Sequence, residues 1–358
     1  MNDEFNSFVL VMAGGQGTRF WPESTSKKPK QYLSLNSSKS LLEETLRRFD
    51  GLVPSKHSYV VTVKSQEKLA NDCSKNLIAN NGLIFEPSGR NTAPCILLAL
   101  AKLEAKGAMD SDLMAIVPSD HVILNQKGFQ RTVSKAYKLA SDNNKIVTIG
   151  IKPNFPHTGY GYIRKGQAVK EGSFGVFDFV EKPDFETAKS YLASGEYYWN
   201  AGMFVTSLKT LKNEFKTHAP DMYEYYQGLV ESNDDDIVKI YSKIRKESID
   251  YAVMEKSKNV YVQEAEFDWN DLGSWDALET VIDQCDDNVT VHNNDHYYHE
   301  AAGNVVFAPG KFVSLQYVND LIIVDNDDVL MILPKDRAQE VKKIVEYVKS
   351  TPLKERLT

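Results

Sequence analysis

The sequence predicts an α/β protein: a sheet covered by helices on both faces, followed by a small β-rich domain and a terminal helix. Three observations lead there. From residue 8 to about 285, short apolar or β-branched runs alternate with amphipathic stretches, the pattern of a mostly parallel sheet packed under helices. After about residue 286, short apolar runs follow one another across Pro-Gly, Asn-Asp and Asp-Asp turns with no helix between them. The 358 residues, 25% charged and 42% hydrophobic, have an ordinary globular composition with room for two domains, placed at 1–285 and 286–358.

The expected strands of the first domain are Phe8 to Met12, Ser58 to Val63, Leu83 to Phe85, Leu113 to Val117, Ile146 to Ile149, Gly175 to Val180, Met203 to Thr206 and Val260 to Gln263. Ser40 and Glu43 form a capping box opening a helix through Leu46 and Phe49. Asn91 or Thr92 caps a second, which tolerates Pro94 in its first turn and buries Ile96, Leu97, Leu100 and Leu103. Asp234, Asp235 and Asp236 read as a solvated loop or helix start. In the second domain the strands are Val305 to Ala308, Phe312 to Gln316, Leu321 to Val324 and Val329 to Leu333. Asp336 then opens a helix with Ala338, Val341, Ile344 and Val348 on one face.

A net charge of −7, from 42 basic and 49 acidic residues, gives no global attraction for nucleic acid or anionic lipid. Three dispersed cysteines without C-x-x-C exclude a disulfide framework and a cysteine zinc site, which suits a reducing, cytoplasmic compartment. The N-terminal apolar run is five residues long, and no run of about 18 apolar residues occurs, so neither a signal peptide nor a membrane span is expected. His292, Asp295, His296 and His299 superficially suggest zinc, but the stretch reads as a polar loop entering a strand.

The strongest local signal follows the first strand directly: Ala13-Gly14-Gly15-Gln16-Gly17-Thr18-Arg19-Phe20-Trp21-Pro22. Its glycines let successive backbone N–H groups converge on phosphate oxygens, and Arg19 adds a cationic fork. No Gly-Lys-Ser/Thr closes the loop, and Phe20 stands where a dinucleotide fingerprint needs its third glycine. Lys27-Lys28-Pro29-Lys30-Gln31 places further cations just downstream.

This segment resembles the signature of nucleotidyltransferases that make nucleoside-diphosphate sugars, and its Trp-Pro form is similar to the mannose-1-phosphate guanylyltransferases. Six further motifs stand in that family's order: Glu86 to Pro94, Pro118 to His121, Thr158 to Ile163, Phe179 to Pro183, Trp199 to Phe204 and Asp268 to Trp275. The resemblance covers nearly the whole chain. It implies a Rossmann-like, GT-A-like mixed sheet and a left-handed β-helix-like C-terminal domain, which often mediates self-association; a homodimer is expected. It implies transfer of GMP from GTP to mannose 1-phosphate with Mg2+. Alternatives are the same chemistry on another sugar phosphate or nucleotide, and a non-catalytic sensor of the same fold. Longer relatives carry an isomerase domain, for which this sequence offers no housing, so a monofunctional enzyme is expected.

Such a reaction brings two polyanions together, so it needs positioned cations and a metal, and no covalent nucleophile. Arg19 is assigned to the β- and γ-phosphates of the leaving group, and Lys30 to the α-phosphate. Ala13, Gly14, Gly15, Gly17 and Thr18 form the phosphate loop. By resemblance, Glu86, Pro87, Gly89 and Asn91 line a guanine pocket, and Asp120 and Asp271 hold the metal, with Asp120 also at the nucleotide and Asp268 a competitor for the ligand role. Tyr160, Gly161, Glu181, Lys182 and Asn200 would bind the sugar phosphate. Tyr162, Trp199 and Phe204 fall within apolar alternation and are expected in the core. His121 needs no role as a base, because a sugar phosphate is already ionised at neutral pH.

Overall fold

The computed structural model describes residues 6–15, 17–292 and 295–358; Gln16 of the phosphate loop lies outside them. It divides into two compact units, each discontinuous in sequence. The first is built from the chain through Gly14, Leu46–Pro118 and Asn125–Asp268. The second gathers Gly15–Thr45, Ser119–Leu124 and Trp269–Thr358.

The first unit holds β1 (Ser7–Met12), β2 (Ser58–Val63), β3 (Leu83–Glu86), β4 (Leu113–Pro118), β5 (Ile146–Ile151), β6 (Gly161–Lys170), β7 (Ser173–Glu181), β8 (Tyr197–Ser207) and β9 (Val260–Glu264). They form one sheet in the order β3-β2-β1-β4-β8-β5-β9-β7-β6, with β8 also pairing β6. The first four strands are parallel, as the alternation with helices implies. Beyond them the sheet is mixed rather than mostly parallel: β8 runs antiparallel to β4 and β5, and β7 to β6 and β9. Only Glu171 and Gly172 join β6 to β7, too short a link for a parallel crossover. β6 escapes sequence patterning because Arg164, Lys165, Gln167 and Lys170 interrupt any apolar alternation, and its outer half is exposed.

Helix Thr92–Ala105 is sunk in this unit's core, with Ile96 through Ala101 fully buried. Asn91 caps it from a positive φ of 70°, its side chain accepting from the Thr92 N–H at 2.8 Å. The triple aspartate is a helix start, capped by Asn233.

In the second unit, β10 (Gln284–Cys285), β11 (Asn288–Val291), β13 (Val305–Phe307), β15 (Leu321–Asp325) and β16 (Leu330–Pro334) form one sheet, and β12 (His296–His299) and β14 (Val313–Gln316) another. β11, β13 and β15 are parallel neighbours, as are β12 and β14. The paired residues Val289, Val305 and Ile322 are 16 and 17 positions apart, so the chain winds as a coil with one turn per repeat. The polar loop expected at 292–299 contains β12, whose His-Tyr-Tyr-His alternation hides a strand.

The core of this unit joins an early and a late segment of the chain. Phe20, Trp21, Leu33 and Leu35 share one apolar cluster with Trp275, Val289, Val305, Phe307 and Ile322, and with Val341, Val345 and Val348 of helix Val341–Lys349. Trp275 lies 5.0 Å from the Phe20 ring and 5.4 Å from that of Phe307. Its indole N–H donates to the Trp21 carbonyl at 3.1 Å, while the Trp21 indole donates to the Leu357 carbonyl at 2.8 Å.

Candidate active site

The second unit assembles one cluster from three remote segments. Gly17, at φ 61°, leads into a tight helical turn, Thr18–Phe20, and Lys30 opens another, Lys30–Tyr32. Lys30 is only 4% exposed. Its Nζ donates to Asp120 Oδ2 at 2.9 Å and to the Asp271 carbonyl at 2.7 Å, and stands 5.6 Å from the Phe20 ring centre. A Cβ on Gly17 would lie 2.2 Å from Lys30 Cβ, so the loop needs glycine there for contact as well as for φ. Arg19 Nε is buried and has no hydrogen-bond partner among the described residues. A buried guanidinium donor left open is costly unless a ligand completes it.

Burial would raise the Asp120 pKa, but the adjacent Lys30 ammonium and His121 outweigh it and hold the carboxyl below the usual carboxylate range. His121 is itself oriented by the Trp269 indole, which donates to Nδ1 at 3.1 Å. Asp271 stands in a strained turn: buried Leu272 is at φ 45°, its N–H donating to Asn270 Oδ1 at 2.6 Å. The Asp120 carboxylate and the Asp271 carbonyl already share one cation, the Lys30 ammonium. A carboxylate and a main-chain carbonyl are oxygen donors of the kind hard divalent ions prefer. Asp268, in the first unit, spends one carboxylate oxygen on the Asn125 N–H at 2.6 Å.

Two further clusters lie within the first unit. In one, the Glu86 carboxylate is buried and accepts from the Tyr241 hydroxyl. Burial pushes its pKa up, against the pull of the Tyr241, Cys95 and Arg90 contacts. A Cβ on Gly14 would be 3.3 Å from Glu86 Oε1, which brings the end of β1 to this group. Ala13 donates its N–H to the Val61 carbonyl and its own carbonyl accepts from Thr62 Oγ1, so it anchors the loop and has no amide to offer a ligand. Pro87 is half-buried, Gly89 is exposed, and the Asn91 side chain is engaged as a helix cap.

In the other cluster Gly161, opening β6, pairs Glu181, closing β7; a Cβ on Gly161 would be 2.4 Å from Glu181 Oε2 and 3.3 Å from Asn200 Cβ. Lys182, at φ 50°, pairs with Glu181 through its Nζ. Asn200 Nδ2 donates to Asp250 Oδ1 at 2.9 Å. Tyr160 stacks on His157 at 3.8 Å and meets Trp199 edge-on at 5.2 Å. Tyr162, Trp199 and Phe204 are buried, in keeping with their alternation, although the Trp199 indole N–H has no partner among the described residues.

Asp250 is the residue that sequence reasoning missed. Burial and the facing Glu181 carboxylate push its pKa up to about 6, against the pull of Asn200 and Lys182. It belongs to no glycine- or tryptophan-marked motif, and nothing in its spacing distinguishes it from the other acidic residues. The histidines of the apparent zinc motif separate: His292 packs on Phe307 and His299 on Tyr317, while His296 Nε2 comes within 3.5 Å of Cys285 Sγ.

Comparison with known proteins gives a consistent picture. Residues 8–288 match the nucleotidyl transferase family model, and residues 296–348 match a mannose-phosphate isomerase/GMP-like beta-helix domain. A mannose-1-phosphate guanylyltransferase from Klebsiella pneumoniae is 39% identical, over 95% of this chain and 73% of its own length. A putative mannose-1-phosphate guanylyltransferase from Vibrio cholerae is 38% identical over 95% of this chain and 74% of its own. A crystal structure titled mannose-1-phosphate geranyltransferase, from Thermus thermophilus, superposes with a TM-score of 0.89 at 33% identity, over 96% of this chain and all of that one.

Proposed function

Because the chain belongs to the nucleotidyl transferase family, at an identity that sets it among the mannose-1-phosphate guanylyltransferases, we infer that it transfers GMP from GTP to α-D-mannose 1-phosphate. The products are GDP-mannose and pyrophosphate. A phosphate oxygen of the sugar attacks the α-phosphorus, the bond from that phosphorus to the oxygen bridging to the β-phosphate breaks, and pyrophosphate leaves. The observation that carries this chemistry is the buried Lys30 ammonium gathered with Asp120 and Asp271.

Lys30 supplies positive charge where it builds on the α-phosphate in the transition state. Arg19, with its open Nε, takes the departing β- and γ-phosphates. The amides of Gly14, Gly15, Gly17 and Thr18 face the phosphates, and Gly17 keeps Lys30 seated against the loop. Asp120 and Asp271 would hold Mg2+, which when bound neutralises phosphate charge and orients the oxygens for in-line displacement. Asp271 is preferred to Asp268, whose carboxylate caps the Asn125 amide. The Glu86-to-Asn91 turn lines the guanine edge, with Asn91 fixing the turn through its cap. Glu181 and Asn200 take sugar hydroxyls, Lys182 takes the sugar's phosphate, and Gly161 and Tyr160 shape the floor. A cytoplasmic location suits these substrates. Exposed Leu330 and Ile332 on edge strand β16 support a homodimer, which light scattering tests.

The decisive measurement is pyrophosphate release over four nucleoside triphosphates and several sugar 1-phosphates, with and without Mg2+. Release with GTP and mannose 1-phosphate, dependent on the metal, is expected. Equal use of ATP or UTP would remove the guanine assignment, and no release with any pair would favour a sensor.

A further inference from the structure

Both ends of the Asn200 amide are spoken for. Its Oδ1 accepts from the Gly202 N–H at 3.1 Å and stands 3.3 Å from Thr148 Oγ1, whose single proton it shares with the Met203 carbonyl at the same distance, and its Nδ2 donates to Asp250 Oδ1 at 2.9 Å. The orientation of a side-chain amide is decided by such partners, because its two ends are nearly the same shape. With its oxygen turned to the Gly202 N–H and one N–H committed to Asp250, Asn200 has its second N–H left to offer a ligand.

Asp250 reaches this site from a distant part of the chain. It opens a π-helical turn, Asp250–Met254, closed by the Glu255 N–H donating to the Asp250 carbonyl at 2.9 Å. Turns of this kind are rare and concentrate at functional sites. The charged groups that act on its carboxyl are Glu181 and Lys182 at the end of β7, while Glu255, just after the turn, accepts the Glu181 N–H through Oε1 at 3.0 Å. A buried carboxyl facing a second carboxylate, with one neutral amide as its side-chain donor, is unfavourable for folding and is kept where it serves a site.

We propose that Asp250 is a positioning residue for sugar selection: with the Gly202 N–H on the other end, it holds the Asn200 amide in one orientation and presents its second N–H as a donor to one sugar hydroxyl. A site with a fixed donor accepts the epimer that places an oxygen there and rejects the one that does not, because the donor is then left buried and unpaired. This rests on the reading of Glu181, Lys182 and Asn200 as the sugar-phosphate subsite.

Steady-state kinetics with GTP and either mannose 1-phosphate or glucose 1-phosphate test it, in the wild type and in Asp250→Asn, whose amide pairs with either orientation of Asn200. The KM for mannose 1-phosphate should rise on the order of tenfold and the mannose preference should narrow by a similar factor, while the KM for GTP stays within about twofold. A second measurement needs no variant. The two epimers share the same phosphate ionisation, so it cancels in the ratio of their kcat/KM values. In the wild type that ratio should fall as pH drops through about 6, where Asp250 gains its proton. An active wild type with a pH-independent ratio, or a folded Asp250→Asn protein with unchanged sugar KM and selectivity, would overturn the role of Asp250 alone. A parallel rise in both KM values would do the same, by marking a merely structural effect. A wild type that makes no product from any sugar phosphate would overturn the proposed function, and this role with it.

Discussion

Gly17 shows how much of the site depends on a single absent side chain. Its φ of 61° and the 2.2 Å that would separate a Cβ from Lys30 act together, so Gly17→Ala must move either the loop or the lysine. Its kcat/KM for pyrophosphate release should fall by about 100-fold or more. Lys30→Met keeps the packing and removes the charge. Its kcat should drop about 100- to 1,000-fold with little change in GTP affinity; near-normal kcat would remove Lys30 from the transition state. Asp250 makes the opposite kind of prediction, about stability. Its folded pKa of about 6 lies above the ordinary value of about 4, so the unfolded chain ionises first and the folded one bears the penalty. That penalty is absent below about pH 4, grows between about 4 and 6, and is complete above. Asp250→Asn should therefore be more stable than the wild type by up to about 3 kcal/mol at pH 8, the difference vanishing near pH 4 in urea titrations. At this scale, residues carried by glycine- and tryptophan-rich motifs were legible in the sequence. Asp250 was not, because its role arises from burial beside Glu181 and Asn200, which only folding creates.

Among the elements, those that follow a regular period were readable. The cap and buried stripe of helix Thr92–Ala105 follow from Asn91 and its apolar spacing. The same cap limits what Asn91 can offer a ligand. Asn91→Ala loses it and retains a Cβ at positive φ, so stability should fall by about 1–2 kcal/mol, and Asn91→Gly should cost less. Chemical denaturation of the two variants separates the contributions. β6 and β12 were illegible for related reasons: β6 is largely solvated and charged, and β12 alternates histidine with tyrosine, so neither has the apolar face that marks a strand. The coil repeat of 16 to 17 residues was hidden by the shorter spacing between successive strands, since each turn contains two.

For the whole molecule, chain order and compactness are different divisions. Every residue proposed for the chemistry precedes residue 285, yet Phe20 and Trp21, which close the turn bearing Arg19, are buried against strands and helices that follow residue 285. A protein consisting of residues 1–285 should therefore lose pyrophosphate release while keeping the nine-stranded sheet. Circular dichroism and the nucleotide assay on that fragment would decide; a fully active fragment would show that the shared core is dispensable. Chelation of divalent cations should also abolish activity in the full chain, and added Mg2+ should restore it.

The same joined segments set a schedule for synthesis. A ribosome releases the chain from the N-terminus, and folding proceeds as partners emerge. The nine strands of the first sheet are complete by Glu264, but the indole of Trp21 waits for the carbonyl of Leu357, which emerges well after them. A nascent chain thus has its large sheet early and its Arg19 and Lys30 segments unsupported until Leu357 has emerged, so catalytic competence follows the sheet as a separate step rather than growing with chain length.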